Sequence, residues 1–360
     1  MQIGIIGLPN STKTTVFSAL TRENVLTTPF SSGQFEIHSA VVDVPDPRVD
    51  RLAAMFQPRK VTCAKVQYND IAGLAQGMSQ AGGLSGPLLN AIASNDALLH
   101  VVRAFEDPRL PHPRGSVNPA RDLRDLDMEL ILSDLGIVER RLERVAKDAK
   151  RNGPAGEAAR AEESLLLRFR EALENETPLR DLELTDDEER LVRGFALLTL
   201  KPTLIVLNVG EDGPTDITHL VSYAHRHTGV IALRGALERE IAQLDAEEEA
   251  LFLQEYGITE PSMRRLIRLS YDLLGLHSFF TVGEDEVRAW TIRKGDTALA
   301  AAAAIHTDLA RGFIRAEVIG YDQLIADGSL AVAKQRGHLR LQGRDYVVQD
   351  GDILNIRFNI

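Results

Sequence analysis

The chain has a single cysteine, Cys63, in 360 residues. That excludes an intramolecular disulfide and a zinc centre built from several thiolates, and its apolar-rich surroundings mark Cys63 as a core side chain. No apolar run approaches the ~18 residues that a membrane-crossing helix needs, so no membrane association is expected. Positive charge is also short: 41 Lys and Arg stand against 52 Asp and Glu, a net charge of −11. That argues against a surface coated in basic residues for nucleic acid, although it does not exclude a local basic patch. No leader-like segment precedes the first apolar stretch, and a cytoplasmic protein is the expectation. What is present is ample for folding. Hydrophobic residues make up 44% of a chain too long for one core of usual size, so two or three domains are expected.

The run Gly7-Leu8-Pro9-Asn10-Ser11-Thr12-Lys13-Thr14-Thr15 directly follows the apolar stretch Ile3-Gly4-Ile5-Ile6. A buried strand that breaks into a turn-rich loop and enters a helix through Lys-Thr is the layout of a phosphate-binding loop. In that pattern Lys13 reaches the β- and γ-phosphates, the Thr14 hydroxyl holds Mg²⁺, and the backbone N–H groups of residues 10–15 cradle phosphate oxygens. One residue departs from it: the second glycine position holds Thr12, whose side chain is expected to resist the backbone angles or crowd the phosphates.

Further along, apolar strand candidates at 37–44, 61–69, 97–102, 204–208 and 230–233 alternate with amphipathic stretches. This predicts an α/β domain with a mostly parallel sheet and its ligands at the carboxyl ends of the strands. Between about 119 and 200 the strand signals stop. Leu123, Leu126, Leu130, Ile131, Leu135, Val138 and Leu142 recur at three- and four-residue spacing, predicting a long helix that breaks at 152–156 and returns through a second over 158–173. Such a pair forms an antiparallel arm of roughly 45 Å, with the basic cluster Arg140, Arg141, Arg144, Lys147, Lys150 and Arg151 at its tip. Helices are expected over 237–253 and 262–274, and from 278 onward short strands and a helix over 297–305 read as a small α+β domain. The expected divisions are 1–118 and 201–276 for the nucleotide domain, 119–200 for the inserted arm and 277–360 for the last domain.

Asp70-Ile71-Ala72-Gly73 follows the strand candidate 61–69 at the distance from the phosphate loop where a carboxylate orients Mg²⁺ through water and a glycine N–H faces the γ-phosphate. Leu74 follows, where many GTP hydrolases carry a water-orienting glutamine, so another group must position water or turnover is slow. At the base side, Asn208-Val209-Gly210-Glu211 replaces the Asn-Lys-x-Asp of guanine-specific enzymes. Val209 removes the lysine stem and Glu211 lengthens the carboxylate, which breaks the strict guanine code and makes adenine a serious candidate.

These motifs, with Val44-Pro45-Asp46-Pro47-Arg48, His100-Val101-Val102-Arg103, Glu286-Val287-Arg288-Ala289-Trp290-Thr291, Gly312-Phe313-Ile314-Arg315 and Asp350-Gly351-Asp352, resemble those of the Obg-like ATPase family, also called YchF, over essentially the whole chain. The resemblance implies a P-loop NTPase domain, an α-helical coiled-coil arm and a carboxy-terminal ubiquitin-like TGS domain. It implies ATP as ligand, slow Mg²⁺-dependent hydrolysis, and ribosome association in translational or stress control, with rRNA contacts through the arm and TGS domain. It assigns the base contacts to Asn208, Val209, Glu211, Arg234, Gly235 and Ala236. It also makes His112 the catalytic candidate beside Lys13, since a neutral imidazole can position water. Asn10 is the candidate aid for a K⁺ ion beside the phosphates. The family usually has Gly at the position of Thr12, and Ser-Ala-Lys where this chain has Arg234-Gly235-Ala236. Two other readings therefore stay open: a ribosome or RNA adaptor with a degenerate nucleotide site, and a GTP-selective switch.

Overall fold

The computed structural model describes residues 1–22, 37–71, 85–211, 213, 217 and 219–359. It divides into two compact units, Met1–Ala40 with Gln67–Leu266, and Val41–Val66 with Ile267–Ile360. Gly73 and Leu74 lie outside the described residues.

The first sheet contains β1 (Gln2–Ile6) and β2 (Ile37–Asp43), then β4 (Lys65–Ile71), β5 (Ala97–Arg103), β6 (Thr203–Asn208) and β7 (Thr228–Leu233), in the order β2-β4-β1-β5-β6-β7. Between β2 and β4 the chain forms α2 (Pro47–Phe56) and β3 (Lys60–Thr62), which belong to the second unit. The pairs β1–β4, β1–β5, β5–β6 and β6–β7 are parallel. Every residue of β5 and β6 is buried, which is why they read as unbroken apolar runs rather than alternating ones. The chain leaves β1 toward β4 on one side and β5 lies on the other, so the loop after β1 sits at a topological switch point where such sheets bind ligands.

That loop leads into α1 (Lys13–Thr21), and α3 (Gly86–Ala93) packs Leu88 and Ile92 into the core beside Ile6 and Leu98. The arm is α4 (Pro119–Asp148) and α5 (Pro154–Glu174). Their facing stripes, Ile131, Val138 and Val145 on one and Ala159, Leu165, Leu166 and Phe169 on the other, share one core. The second helix starts four residues earlier than its apolar pattern indicates because Pro154 suits the first helical position, where no N–H is needed. Then come α6 (Asp186–Val192), α7 (Gly235–Ile241), α8 (Ala246–Glu255) and α9 (Ser262–Leu273). The single helix expected over 237–253 is two, because Asp245 caps a fresh start by accepting from Glu247 N and Glu248 N.

In the second unit, β8 (Leu276–Thr281), β9 (Glu286–Arg293), β10 (Phe313–Gly320), β11 (Arg340–Gln342) and β12 (Asp352–Phe358) join β3 in the order β11-β10-β12-β8-β9-β3. Helices α10 (Ala298–Ile305), α11 (Thr307–Arg311), α12 (Tyr321–Asp327) and α13 (Leu330–Gln335) complete this α+β unit. The expected strand at 61–69 is thus two strands of different sheets: β3 runs parallel to β9 from Lys60↔Glu286 to Thr62↔Arg288, and β4 runs parallel to β1. Residues 41–66, expected in the nucleotide domain, group with the carboxy-terminal residues for the same reason. Arg48 fixes this segment by bonding Asp46 and both carboxylate oxygens of Asp350 while lying 5.1 Å over the Phe280 ring. Cys63, expected in the core, is half-buried, and so is Trp290; the indole N–H donates to Thr281 Oγ1 and Arg288 covers the ring. His306 caps α11 by accepting from Asp308 N. Among the described residues no helix is long and apolar enough to cross a membrane.

Candidate nucleotide site

The site begins where β1 runs out. Gly7 has no room for a side chain, since a Cβ would stand 2.5 Å from both Val101 O and Ser11 Oγ. The loop then turns through two left-handed residues, Asn10 (φ 59°) and Thr12 (φ 70°), and Thr15 N and Val16 N bond back to Thr12 O to start α1. A β-branched residue in this region is a genuine backbone outlier. The result still leaves the first N–H groups of α1 without intrahelical partners, which is what an anion at a helix N-terminus uses.

The register Ile5↔Asp70 brings the end of β4 alongside the loop. Thr14 Oγ1 donates to Asp70 Oδ2 at 3.1 Å. Asp70 is 1% exposed, and its Oδ1 has no hydrogen-bond partner among the described residues. Burial raises its carboxyl above the ordinary range, opposed by the charge of Lys13 and then by the Thr14 hydroxyl. Burial likewise lowers the Lys13 ammonium, and Asp70 pulls it back up. Ser11 Oγ is a second buried polar atom without a hydrogen-bond partner among the described residues. A hard cation with oxygen ligands fits this set: a hydroxyl for direct ligation and an incompletely satisfied carboxylate to hold its waters.

On the base side, Asn208 ends β6 and is 2% exposed. Its Oδ1 accepts from Gly235 N at 2.8 Å, and its Nδ2 donates to Thr12 Oγ1 at 2.6 Å. Val209 is buried, with its N–H on Leu233 O. Arg234 donates to Gly213 O, and Gly235 and Ala236 open α7. Glu211 is exposed, and Gly73 lies outside the described residues. The structure therefore gathers Lys13, Thr14 and Asp70 in one group and Thr12, Asn208 and Gly235 in another.

Residues 276–359 match the YchF-GTPase_C family model, described as "Protein of unknown function (DUF933)". Over 99% of both chains, the sequence is 42% identical to the ribosome-binding ATPase YchF of Bacillus subtilis and 43% identical to that of Pasteurella multocida. The chain belongs to the YchF family. The YchF GTPase structure from Schizosaccharomyces pombe matches with a TM-score of 0.87 at 31% identity, covering 99% of this chain and 97% of that one.

In this YchF-family chain the loop that holds His112 rests on the phosphate loop, because Asn10 Nδ2 donates to Pro111 O at 3.1 Å. The His112 side chain is 5% exposed. Its Nδ1 accepts from Arg114 N, which leaves the neutral ring's proton on Nε2, 2.9 Å from Asp122 Oδ2 in the first turn of α4. Sequence reasoning passed over Asp122, an acid in a helical first turn being unremarkable. It also gave no role to Arg103, which is 1% exposed and donates to the carbonyls of Phe105 and Leu110, shaping the His112 loop from the end of β5.

Proposed function

We propose that the chain is a Mg²⁺-dependent ATP hydrolase of low turnover that binds the ribosome and regulates translation or the stress response. The observation that carries this reading is the group Lys13, Thr14 and Asp70 at the open N-terminus of α1. Lys13 holds the β- and γ-phosphates, and Thr14 and Asp70 hold Mg²⁺, which when bound offsets phosphate charge. Val209 and Glu211 in place of the guanine-reading residues favour adenine, in line with the relatives named ribosome-binding ATPase, although the structural neighbour is named a GTPase. His112 is the residue to position water, with K⁺ beside Asn10 as a candidate aid. For His112 to act, its ring must leave Asp122 and Arg114, and that rearrangement accounts for slow turnover. The exposed Arg140, Arg144, Lys147 and Lys150 near the end of α4 suit rRNA phosphates, and a ribosomal partner places the protein in the cytoplasm.

Calorimetric titration of Mg·ATP and Mg·GTP, with K⁺ present, tests the assignment. Selective ATP binding, abolished in Lys13→Ala, is expected; a Lys13→Ala variant that binds ATP as before would sink it. For the arm, reversing Arg140, Arg144 and Lys147 to Glu should weaken ribosome co-sedimentation and flatten its salt dependence, and an unchanged slope would rule out contact there. A second reading, an adaptor whose nucleotide pocket has decayed, is favoured by the left-handed Thr12. It predicts no ATP binding and ribosome association indifferent to ATP.

A further inference from the structure

The hydrogen-bond directions around Asn208 are fixed by chemistry. Gly235 N–H can only donate, so the carboxamide oxygen must face it. The amide nitrogen then faces Thr12 Oγ1, which must accept, and the Thr12 hydroxyl gives its own proton to Ser11 O. One side-chain hydroxyl thus closes a chain from the phosphate loop through the end of β6 to the start of α7. The fit at the far end is tight, since a Cβ on Gly235 would lie 2.7 Å from Asn208 Oδ1. A glycine at position 12 offers no such acceptor.

From this we infer that Thr12 is a positioning residue that locks the phosphate loop to the two loops on the base side, residues 208–211 and 234–236. The left-handed strain at Thr12 is held in place by that lock. In this reading Thr12 does not obstruct the site; it joins its halves, so that triphosphate and nucleoside are bound by one preorganised unit. The consequence for affinity rests on the proposed ATP reading, whereas the lock itself does not.

The test compares the full chain with Thr12→Ser, which keeps the hydroxyl, Thr12→Val, which keeps the shape and removes it, and Thr12→Gly, which removes hydroxyl and strain together. Amide hydrogen exchange without nucleotide reads the lock directly. Faster exchange at Gly235 and in residues 8–15 is expected for valine and glycine, and wild-type exchange for serine. Unchanged exchange in Thr12→Val overturns the inference, whatever happens to ATP. Titration with Mg·ATP and with Mg·tripolyphosphate then reads the coupling. An unpaired Asn208 amide should weaken ATP by about tenfold or more in Thr12→Val, weaken tripolyphosphate less, and leave Thr12→Ser within about twofold of wild type; equal losses for both ligands would mean a phosphate effect alone and overturn the coupling. If no form binds ATP while exchange follows the hydroxyl, the nucleotide reading fails and the lock stands.

Discussion

Asp70 and Asp134 are both withdrawn from solvent, 1% and 0% exposed, yet they are satisfied in opposite ways. Asp134, on α4, accepts from Leu198 N, Thr199 N and the Thr199 hydroxyl, at 2.8, 2.7 and 2.6 Å. It ties the arm to the segment that returns the chain to the sheet. Burial outweighs these bonds and raises its carboxyl to about 6. Asp70 has one hydroxyl donor, one oxygen without a hydrogen-bond partner among the described residues, and the charge of Lys13 nearby. Burial is therefore not what separates the carboxylate we propose as a metal holder from a structural one. The separating feature is incomplete satisfaction beside a buried cation, where a metal and its waters can still be accommodated.

The comparison breaks most easily at Asp134. Asp134→Ala leaves three donors facing a cavity, and a loss of about 3–5 kcal/mol is expected, a large share of the roughly 5–15 kcal/mol that holds a domain folded. A fall in the thermal midpoint, with faster exchange at residues 198–199, would show it; a midpoint within a degree of wild type would refute the structural role. Asp70→Ala should do the reverse, lowering Mg·ATP affinity about tenfold or more while the fold stays intact by circular dichroism. If ATP binds equally well with and without Mg²⁺ in the wild type, the contrast between the two aspartates loses its functional half.

Why one aspartate could be placed from sequence and the other could not is a matter of range. Asp70 sits at the end of an apolar run at a recognisable distance from Lys13 and Thr14, and parallel pairing of two buried strands suffices to bring them together. Asp134 looks like any acid on a charged helix, and its partners lie 64 and 65 residues away. The Thr12–Asn208 bond spans 196 residues and depends on a left-handed backbone that a β-branched residue rarely adopts. The enclosure of His112 by Asp122 depends on where the first turn of α4 lies against the His112 loop. The parallel sheet and the arm were legible because their periodicities are local. The division of 61–69 was not, because both halves have strand composition and only a partner such as Glu286, which accepts from Thr62 Oγ1 at 2.6 Å, decides which sheet the first half joins.

Acid sharpens the comparison by a smaller amount. His100 is wholly buried, and desolvation, helped by Arg180, lowers its ring to about 3. Below pH 6.5 the unfolded chain takes up a proton that the folded ring refuses, so His100 subtracts stability as pH falls from 6.5 toward 3. Asp134 acts the other way: the folded carboxyl is protonated from about 6 and the unfolded one only near 3.8, so it adds stability as pH falls through that window. The two slopes, each about 1.4 kcal/mol per pH unit, oppose each other between about 4 and 6. In His100→Leu the contribution of Asp134 is no longer opposed by that ring, and the variant should gain on wild type by about that slope on acidification below 6.5. Urea melts at pH 7 and pH 5 would read it, and a pH-independent difference between the two proteins would refute the lowered ring.

The smallest effect discriminates most finely. Asp70→Asn removes a carboxylate whose burial is already costly, and it also removes the counter-charge of Lys13. The two changes oppose each other, the buried lysine being the easier to neutralise because its own affinity for a proton is lowered. A stability change within about 1 kcal/mol at pH 7 is therefore expected, alongside weakened Mg·ATP binding. A loss as large as that of Asp134→Ala would make Asp70 a structural carboxylate after all, and the two aspartates would then differ only in their partners and not in their purpose.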